Sequence, residues 1–225
     1  MNKREMKKMK KFLKRVNRGL LLGGIVLVGF VVFVITDTMS FKKNKLVIED
    51  TVRSYVEQLG NTAVTKGITK DEIKKNIDSL INNCWTFSEK EIGGMNQSEY
   101  KNSLELVTED QDEGAYISKW TASISDVSIS KAGPGYAIAH FDCQIVAEFV
   151  GNAYFVTPGD IYPMGIYVDY GGEIPKGLSK IAYDGTYQLT LVQNGGRWKI
   201  AGTESYGWNS CSITSADGGE GGNAQ

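Results

Sequence analysis

The sequence predicts an α+β protein, with an N-terminal transmembrane helix followed by one extracytoplasmic domain. In that domain we expect two or three helices packed on a curved, mostly antiparallel sheet of four to six strands. Three observations carry this prediction: an apolar run over residues 19–35, helical periodicity between residues 52 and 107, and a period of two from Tyr116 onward. Helices that precede a run of strands are typical of α+β domains, in which the helices cover one face of the sheet.

The apolar run contains no charged, amide or hydroxyl side chain, and Thr36 can extend it. At 1.5 Å per residue, seventeen residues span about 25 Å, which is the short end of a bilayer core. We assign residues 1–18 to a basic cytoplasmic tail, 19–36 to the transmembrane helix and 37–45 to a juxtamembrane segment. A cleaved signal peptide is the alternative, but residues 35–38 make a poor small-x-small cleavage site.

The charge distribution predicts the orientation in the membrane. Nine Lys and Arg side chains precede the apolar run, whereas Lys42, Lys43 and Lys45 follow it closely. This bias places the N-terminus in the cytoplasm and the rest outside the cell membrane. Residues 1–35 carry +8 and the remainder carries −9, so the basic groups suit anionic lipid heads. The outer part has no basic patch for a nucleic acid.

The first part of the outer domain is predicted to be helical. Val52, Tyr55, Val56 and Leu59 share one helix face, and Gly60 ends it. Thr69 and Glu72 form a capping box that opens a second helix, with an apolar face from Ile73 to Cys84. A third, weaker helix is predicted from about residue 98 to residue 107.

The second part is predicted to consist of strands. A long strand over residues 116–130 changes its alternation near Asp126, which indicates a bulge. After a turn at Gly133–Gly135, residues 136–149 form the most regular strand of the chain. A short strand at 166–170 precedes strands at 183–192 and 197–203, joined by a hairpin turn at 194–196. The domain is expected to span residues 46–208, and 209–225 to form a flexible Gly-rich tail.

The closing segment Tyr187–Ile200, an alternating apolar strand followed by a Gly turn and Trp198-Lys199-Ile200, resembles the end of the NTF2-like (cystatin-like α+β) superfamily. A short cytoplasmic tail, one membrane helix and one such domain outside resemble VirB8-like and TcpC-like components of bacterial conjugation and type IV secretion machines. Residues 162–168 are similar to the Asn-Pro-x-Gly stretch of VirB8, with Tyr162 in the Asn position. The resemblance implies a non-catalytic scaffold that associates with itself and with channel subunits.

His140 and Asp142 form the one acid/base pair that the sequence suggests. They are two residues apart on one strand and therefore share a face. The resemblance to NTF2-like proteins adds Tyr136 and Tyr187 as candidate neighbours, because enzymes of that superfamily usually work with His, Asp or Tyr side chains that project into a cone-shaped domain. The simpler interpretation is that the His140 face is the solvated or oligomer-facing side of a half-buried strand.

The sequence predicts no cofactor and no metal ion. The acidic run at Glu109, Asp110, Asp112 and Glu113 has Thr121 where an EF-hand that begins at Asp110 needs an acid. Three cysteines allow at most one intramolecular disulfide, and we expect Cys84 and Cys143 to be buried as small apolar residues. Aromatic residues in predicted loops or near element ends are suited to an interface or to the core: Trp85, Trp208 and the tyrosines at 162, 167, 170 and 206.

Three hypotheses follow. In the first, the chain is a membrane-anchored scaffold with protein partners, and Gly19 and Gly23 have the spacing of a helix-dimer face, which hints at a homo-oligomer. In the second, the outer domain binds or converts a small molecule with His140, Asp142 and Tyr187. In the third, it is a membrane-tethered sensory or regulatory domain.

Overall fold

The protein was analysed as a computed structural model, which describes residue 5 and residues 18–87, 96–108, 113–160, 163–166 and 177–215. The chain divides into two compact units, Met1–Asn44 and Lys45–Gln225. Among the described residues, one helical stretch, Leu22–Thr62, is long and apolar enough to cross a membrane, with a mean hydropathy of 2.2 in its most apolar window. The described part of the chain therefore contains one candidate membrane helix, and a signal sequence meets the same criteria.

Helix α1 runs from Arg18 to Leu59 without a break. Residues 37–45, predicted as a separate juxtamembrane segment, are thus helical. No Gly or Pro lies between residues 30 and 59 to end the helix. The hydroxyls of Thr36 and Thr38 donate to Val32 O and Val34 O at 2.9 and 2.7 Å. These bonds pair the two hydroxyls with carbonyl groups of the helix's own backbone.

The second unit begins with the last turns of α1 and continues with helices α2 (Lys70–Cys84) and α3 (Gln97–Glu105). The predicted capping box is confirmed: Glu72 N–H donates to Thr69 Oγ1, and Thr69 N–H donates to the Glu72 carboxylate. A second capping box, between Asn96 and Glu99, opens α3. The predicted helix faces are buried, including Val52, Tyr55, Val56 and Leu59 of α1 and Ile73, Ile77, Leu80, Ile81 and Cys84 of α2.

Four long strands form one antiparallel sheet in the order β1-β2-β5-β6: β1 (Tyr116–Gly133), β2 (Tyr136–Val150), β5 (Leu178–Asn194) and β6 (Arg197–Ser215). The short strands β3 (Tyr154–Phe155) and β4 (Met164–Gly165) form a separate pair. Helices followed by an antiparallel sheet confirm the predicted α+β class. Burial alternates along β2 and β5, so one sheet face joins the helices in the core and the other is open.

Two local predictions in the sheet are confirmed in detail. The register between β1 and β2 shifts between Ser125 and Ser128, and Asp126 has a positive φ of 50°, so the bulge lies where the alternation changes. The β5–β6 hairpin turns at Gly195 and Gly196, whose φ values of 58° and 81° suit a type I′ turn.

The end of the last strand differs from the prediction. Strand β6 continues to Ser215, and residues 210–215, which the sequence assigns to the flexible tail, pair with residues 179–184 of β5. This end of β6 is rich in Ser, Thr and Asn, and the ladder with β5 provides the order that its composition does not indicate. Just before the short strand predicted at 166–170, the structure has β4 at Met164–Gly165. Residues 167–170 lie outside the described part of the chain, so the strand at 166–170 stays a prediction.

Candidate functional site: the open face of the sheet and a groove at its edge

The candidate residues His140 and Asp142 lie on the open face of β2. His140 is half-buried and stands between Ser128 of β1 and Gln188 of β5 in the strand register. Its ring centroid is 6.0 Å from that of Tyr206 on β6. The Asp142 carboxylate accepts a 2.7 Å hydrogen bond from Thr186 Oγ1. The structure thus brings His140 and Asp142 to one surface, as their spacing predicts.

Tyr187, the third candidate, lies on the other face of the sheet. It pairs with Phe141, one residue from His140, and successive side chains of a strand point to opposite faces. Tyr187 is fully buried, its ring centroid is 5.8 Å from that of Phe141, and burial raises the pKa of its hydroxyl far above the ordinary range. The sheet therefore separates Tyr187 from His140 and Asp142, and the three do not form one site.

The buried face around Tyr187 is tightly filled by the segment 156–160. The Pro158 carbonyl accepts hydrogen bonds from Tyr55 OH at 3.2 Å and from Thr203 Oγ1 at 2.7 Å. A Cβ on Gly159 would lie 2.6 Å from Tyr187 Cδ1, so the segment leaves no space there for even a methyl group. Tyr187 therefore acts as a core side chain at this point.

The open face carries hydrogen-bonded networks that cross the strands. Asp184 on β5 accepts from Gln144 Nε2 at 3.0 Å and from Ser210 Oγ at 2.7 Å, which joins β2, β5 and β6. Farther along, Tyr206 OH donates to Gln188 Oε1 at 3.0 Å. Gln188 Nε2 donates to Glu204 Oε2 at 3.2 Å. Sequence analysis identified the His140 face as the solvated or oligomer-facing side, but it missed Asp184 and Gln188, which the alternate polar residues of β5 would have indicated.

Exposed aromatic side chains lie on the same face as these networks. Tyr206 is 58% exposed and Tyr136 is 43% exposed. Trp85, one of the candidate interface residues, is instead buried and packs against Tyr100 with ring centroids 4.5 Å apart. The side chain of Trp208 and the tyrosines at 162, 167 and 170 lie outside the described residues.

A groove of about 620 Å³ lies where the end of α1 approaches the edge of β1. Its helix side consists of Arg53, Val56, Glu57, Gly60 and Asn61, and its strand side consists of Trp120, Thr121, Ala122, Ser123 and Ile124. The volume lies within the range of roughly 300–1,000 Å³ that is usual for ligand sites. Sequence analysis did not find the groove, because its two walls are about sixty residues apart in the chain.

No cluster of three or more metal-ligating side chains occurs among the described residues, and Glu109, Asp110 and Asp112 lie outside that part of the chain. All three cysteines are free. Cys84 and Cys143 are buried, as predicted, and burial raises their pKa values to about 11 and about 12.

Comparison with known proteins gives structural likenesses only. No family model matches the chain, and no curated protein matches it. Among solved structures, a candidate scytalone dehydratase from Novosphingobium aromaticivorans DSM 12444 is 14% identical, with a TM-score of 0.46 over 78% of this chain and 90% of that one. A type 2 hexachlorocyclohexane dehydrochlorinase (LinA) is 9% identical, with a TM-score of 0.40 over 80% and 93%. A periplasmic fragment of TraM is 11% identical, with a TM-score of 0.35 over 70% and 96%. These identities and scores assign no function to the chain.

Proposed function

We propose that this protein is a single-pass membrane protein whose outer NTF2-like domain is an interaction module of a membrane-bound protein assembly. The candidate membrane helix and the excess of basic residues before it support a cytoplasmic N-terminus and an extracytoplasmic domain. The layout resembles that of VirB8-like subunits, so a conjugation or type IV secretion complex is the assembly that we propose.

The observation that carries this proposal is the open face of the sheet. Cross-strand hydrogen bonds hold Asp142, Asp184 and Gln188 in place, and Tyr206 and Tyr136 project beside them. Exposed aromatic side chains in an ordered polar surrounding are typical of protein interfaces. Because strand residues on this face are held by the ladder, little conformational entropy is lost when a partner binds.

Catalysis by His140, Asp142 and Tyr187 is the alternative function. His140 and Asp142 share a surface, but Tyr187 lies behind the sheet and packs against Phe141 and Gly159. An acid/base pair is usually tuned by burial, whereas His140 stands on an open face. The geometry therefore favours binding over catalysis.

Site-specific photocrosslinking in membranes tests the proposal. A photoreactive phenylalanine analogue at Tyr206, on the open face, should give discrete crosslinks to other membrane-assembly proteins or to a second copy. The same analogue at Lys75, which is exposed on α2 away from the open face, is the matched control and should give none. Equal crosslinking at both positions, or none at Tyr206 together with loss of a cellular activity in His140→Ala, would contradict the proposal.

A further inference from the structure

The groove between α1 and β1 runs along the edge of the sheet. Five consecutive residues, Trp120 to Ile124, line it. Because successive strand side chains point to opposite faces, a groove on one face would be lined by alternate residues only. All five residues line the groove, so it also reaches the residues whose side chains point the other way, through their side chains at the edge or through their backbone. In both cases the backbone N–H and C=O groups of an outer strand are accessible there.

Strand β1 is the outer strand of the sheet, and the stretch of its free edge that lines the groove is short. At its beginning, Ile117 N–H donates to Val64 O at 2.8 Å, and Thr65 forms a bridge to Ile117. Between Lys119 and Ser125, no described segment pairs with this edge. The bulge at Asp126 then interrupts the ladder. The open edge before the bulge is therefore about seven residues long, or roughly 23 Å.

This length favours a short peptide over a second copy of the chain. Strand β1 itself is 18 residues long, and a pairing of two copies along the whole of β1 would have to cross the bulge in both. A peptide of five to seven residues fits between the Val64–Thr65 segment and the bulge.

The side chains of the groove indicate the chemistry of that peptide. Trp120 is held in place by Phe155, with ring centroids 5.6 Å apart, and by contact with Gly60. Ala122 and Ile124 are half-buried on the same side of β1, whereas Thr121 and Ser123 are exposed on the other. A strand that pairs with this edge must therefore alternate apolar and polar residues.

The charges of the groove add a preference for a basic residue. Arg53 Nη2 lies 2.7 Å from Glu49 Oε1, so the carboxylate one turn earlier on α1 already neutralises the guanidinium. Glu57 is exposed at the groove and has no ion-pair partner among the described residues. A Lys or Arg of the peptide near Glu57 would supply the missing charge.

We propose that this groove binds a short extended segment of a partner protein, which joins the sheet as a fifth strand beside β1. Its apolar side chains contact Trp120 and Ile124, its polar side chains follow Thr121 and Ser123, and a basic residue lies near Glu57. This inference rests on the proposed role as an interaction module and names the surface that a partner peptide uses.

Peptide display on the full chain in detergent micelles tests the inference. Random heptapeptides are selected, and the enriched ones are synthesised and measured by fluorescence anisotropy. We expect enrichment of alternating apolar and polar residues with Lys or Arg at one position. Methylation of the backbone nitrogens at alternate positions should weaken binding at least tenfold in one of the two registers, because it removes the ladder bonds and leaves the side chains unchanged.

Variants of the protein locate the peptide. Trp120→Leu should weaken binding at least tenfold. Glu57→Gln should weaken the binding of basic peptides severalfold, whereas Asp50→Asn, two turns earlier on the same helix, should leave their affinity unchanged. Three results would each overturn the inference. The first is that no heptapeptide is enriched above scrambled sequences, and the second is that N-methylation leaves the affinity unchanged in both registers. The third is that the protein is a dimer that the peptide dissociates, because a second copy would then be the occupant of the groove. If peptides fail while Tyr206 crosslinks persist, only the groove inference is lost.

Discussion

The contact between Gly60 and Trp120 determines the shape of the groove, and Gly60→Ala perturbs it directly. A Cβ at position 60 would lie 2.1 Å from Trp120 Cδ1 and 2.3 Å from Nε1. Ordinary contact begins at 3.4 Å, so the indole must move by about 1.3 Å or the helix end must shift. Trp120 also packs against Phe155, which limits that movement. Overpacking of this kind usually destabilises by about 1–3 kcal/mol.

The assay is thermal unfolding of the full chain in detergent micelles, followed by near-ultraviolet circular dichroism. For a protein of this size, a loss of about 2 kcal/mol lowers Tm by roughly 4–8 °C. The matched control is Gly133→Ala on β1, where a Cβ would meet nothing within 4 Å and no change is expected. An unchanged or higher Tm in Gly60→Ala would refute the reasoning, because Ala is otherwise the better helix former.

Three further predictions concern the cap, the bulge and the thiols. Hydrogen bonds from Thr69 hold the pKa of Glu72 below its ordinary value of 4.5, and the stabilisation that they give is present above that value and lost as the pH falls through the lower folded pKa. Thr69→Ala should therefore lower Tm at pH 7 and make the decrease of Tm in acid less steep. A parallel decrease of Tm with pH in both proteins would contradict this. Asp126→Gly should raise the free energy of unfolding, measured in urea, by up to about 1 kcal/mol, because a glycine adopts a φ of 50° without strain. Asp126→Val should lower that free energy. A Val variant more stable than the Gly variant would show that the bulge is not strained. At pH 8 a maleimide should label the half-exposed Cys211 first. Cys84 and Cys143 should react only in denaturant, because burial raises the pKa values of their thiols. Equal labelling rates of the three cysteines in the folded chain would contradict the assigned burial.

Local patterns in the sequence predict much of this fold. Thr69 and Glu72 are three residues apart and cap each other, and Gly195–Gly196 supplies the two positive φ values of its turn. The bulge at Asp126 is visible because alternation depends on neighbouring residues only. Features that depend on distant pairing were not predicted. The end of β6 is mostly Ser, Thr and Asn, with only Cys211 and Ile213 alternating between them, and its pairing with β5 gives it its order.

The candidate site shows the same division. The spacing of His140 and Asp142 on one strand places their side chains on one face of the sheet. Tyr187 is on another strand, and no spacing rule shows that its side chain points to the opposite face. That facing depends on the register between β2 and β5, in which His140 pairs with Gln188. The groove between Gly60 and Trp120 likewise arises from packing between elements far apart in sequence.

The central claim is that the outer domain works by binding proteins. The most direct measurement is native mass spectrometry of the affinity-purified full chain, extracted from its own membranes, in wild-type form and as His140→Ala. We predict that both forms retain protein partners or further copies above the 24.7 kDa monomer. A strictly monomeric chain whose cellular activity disappears in His140→Ala would contradict the claim.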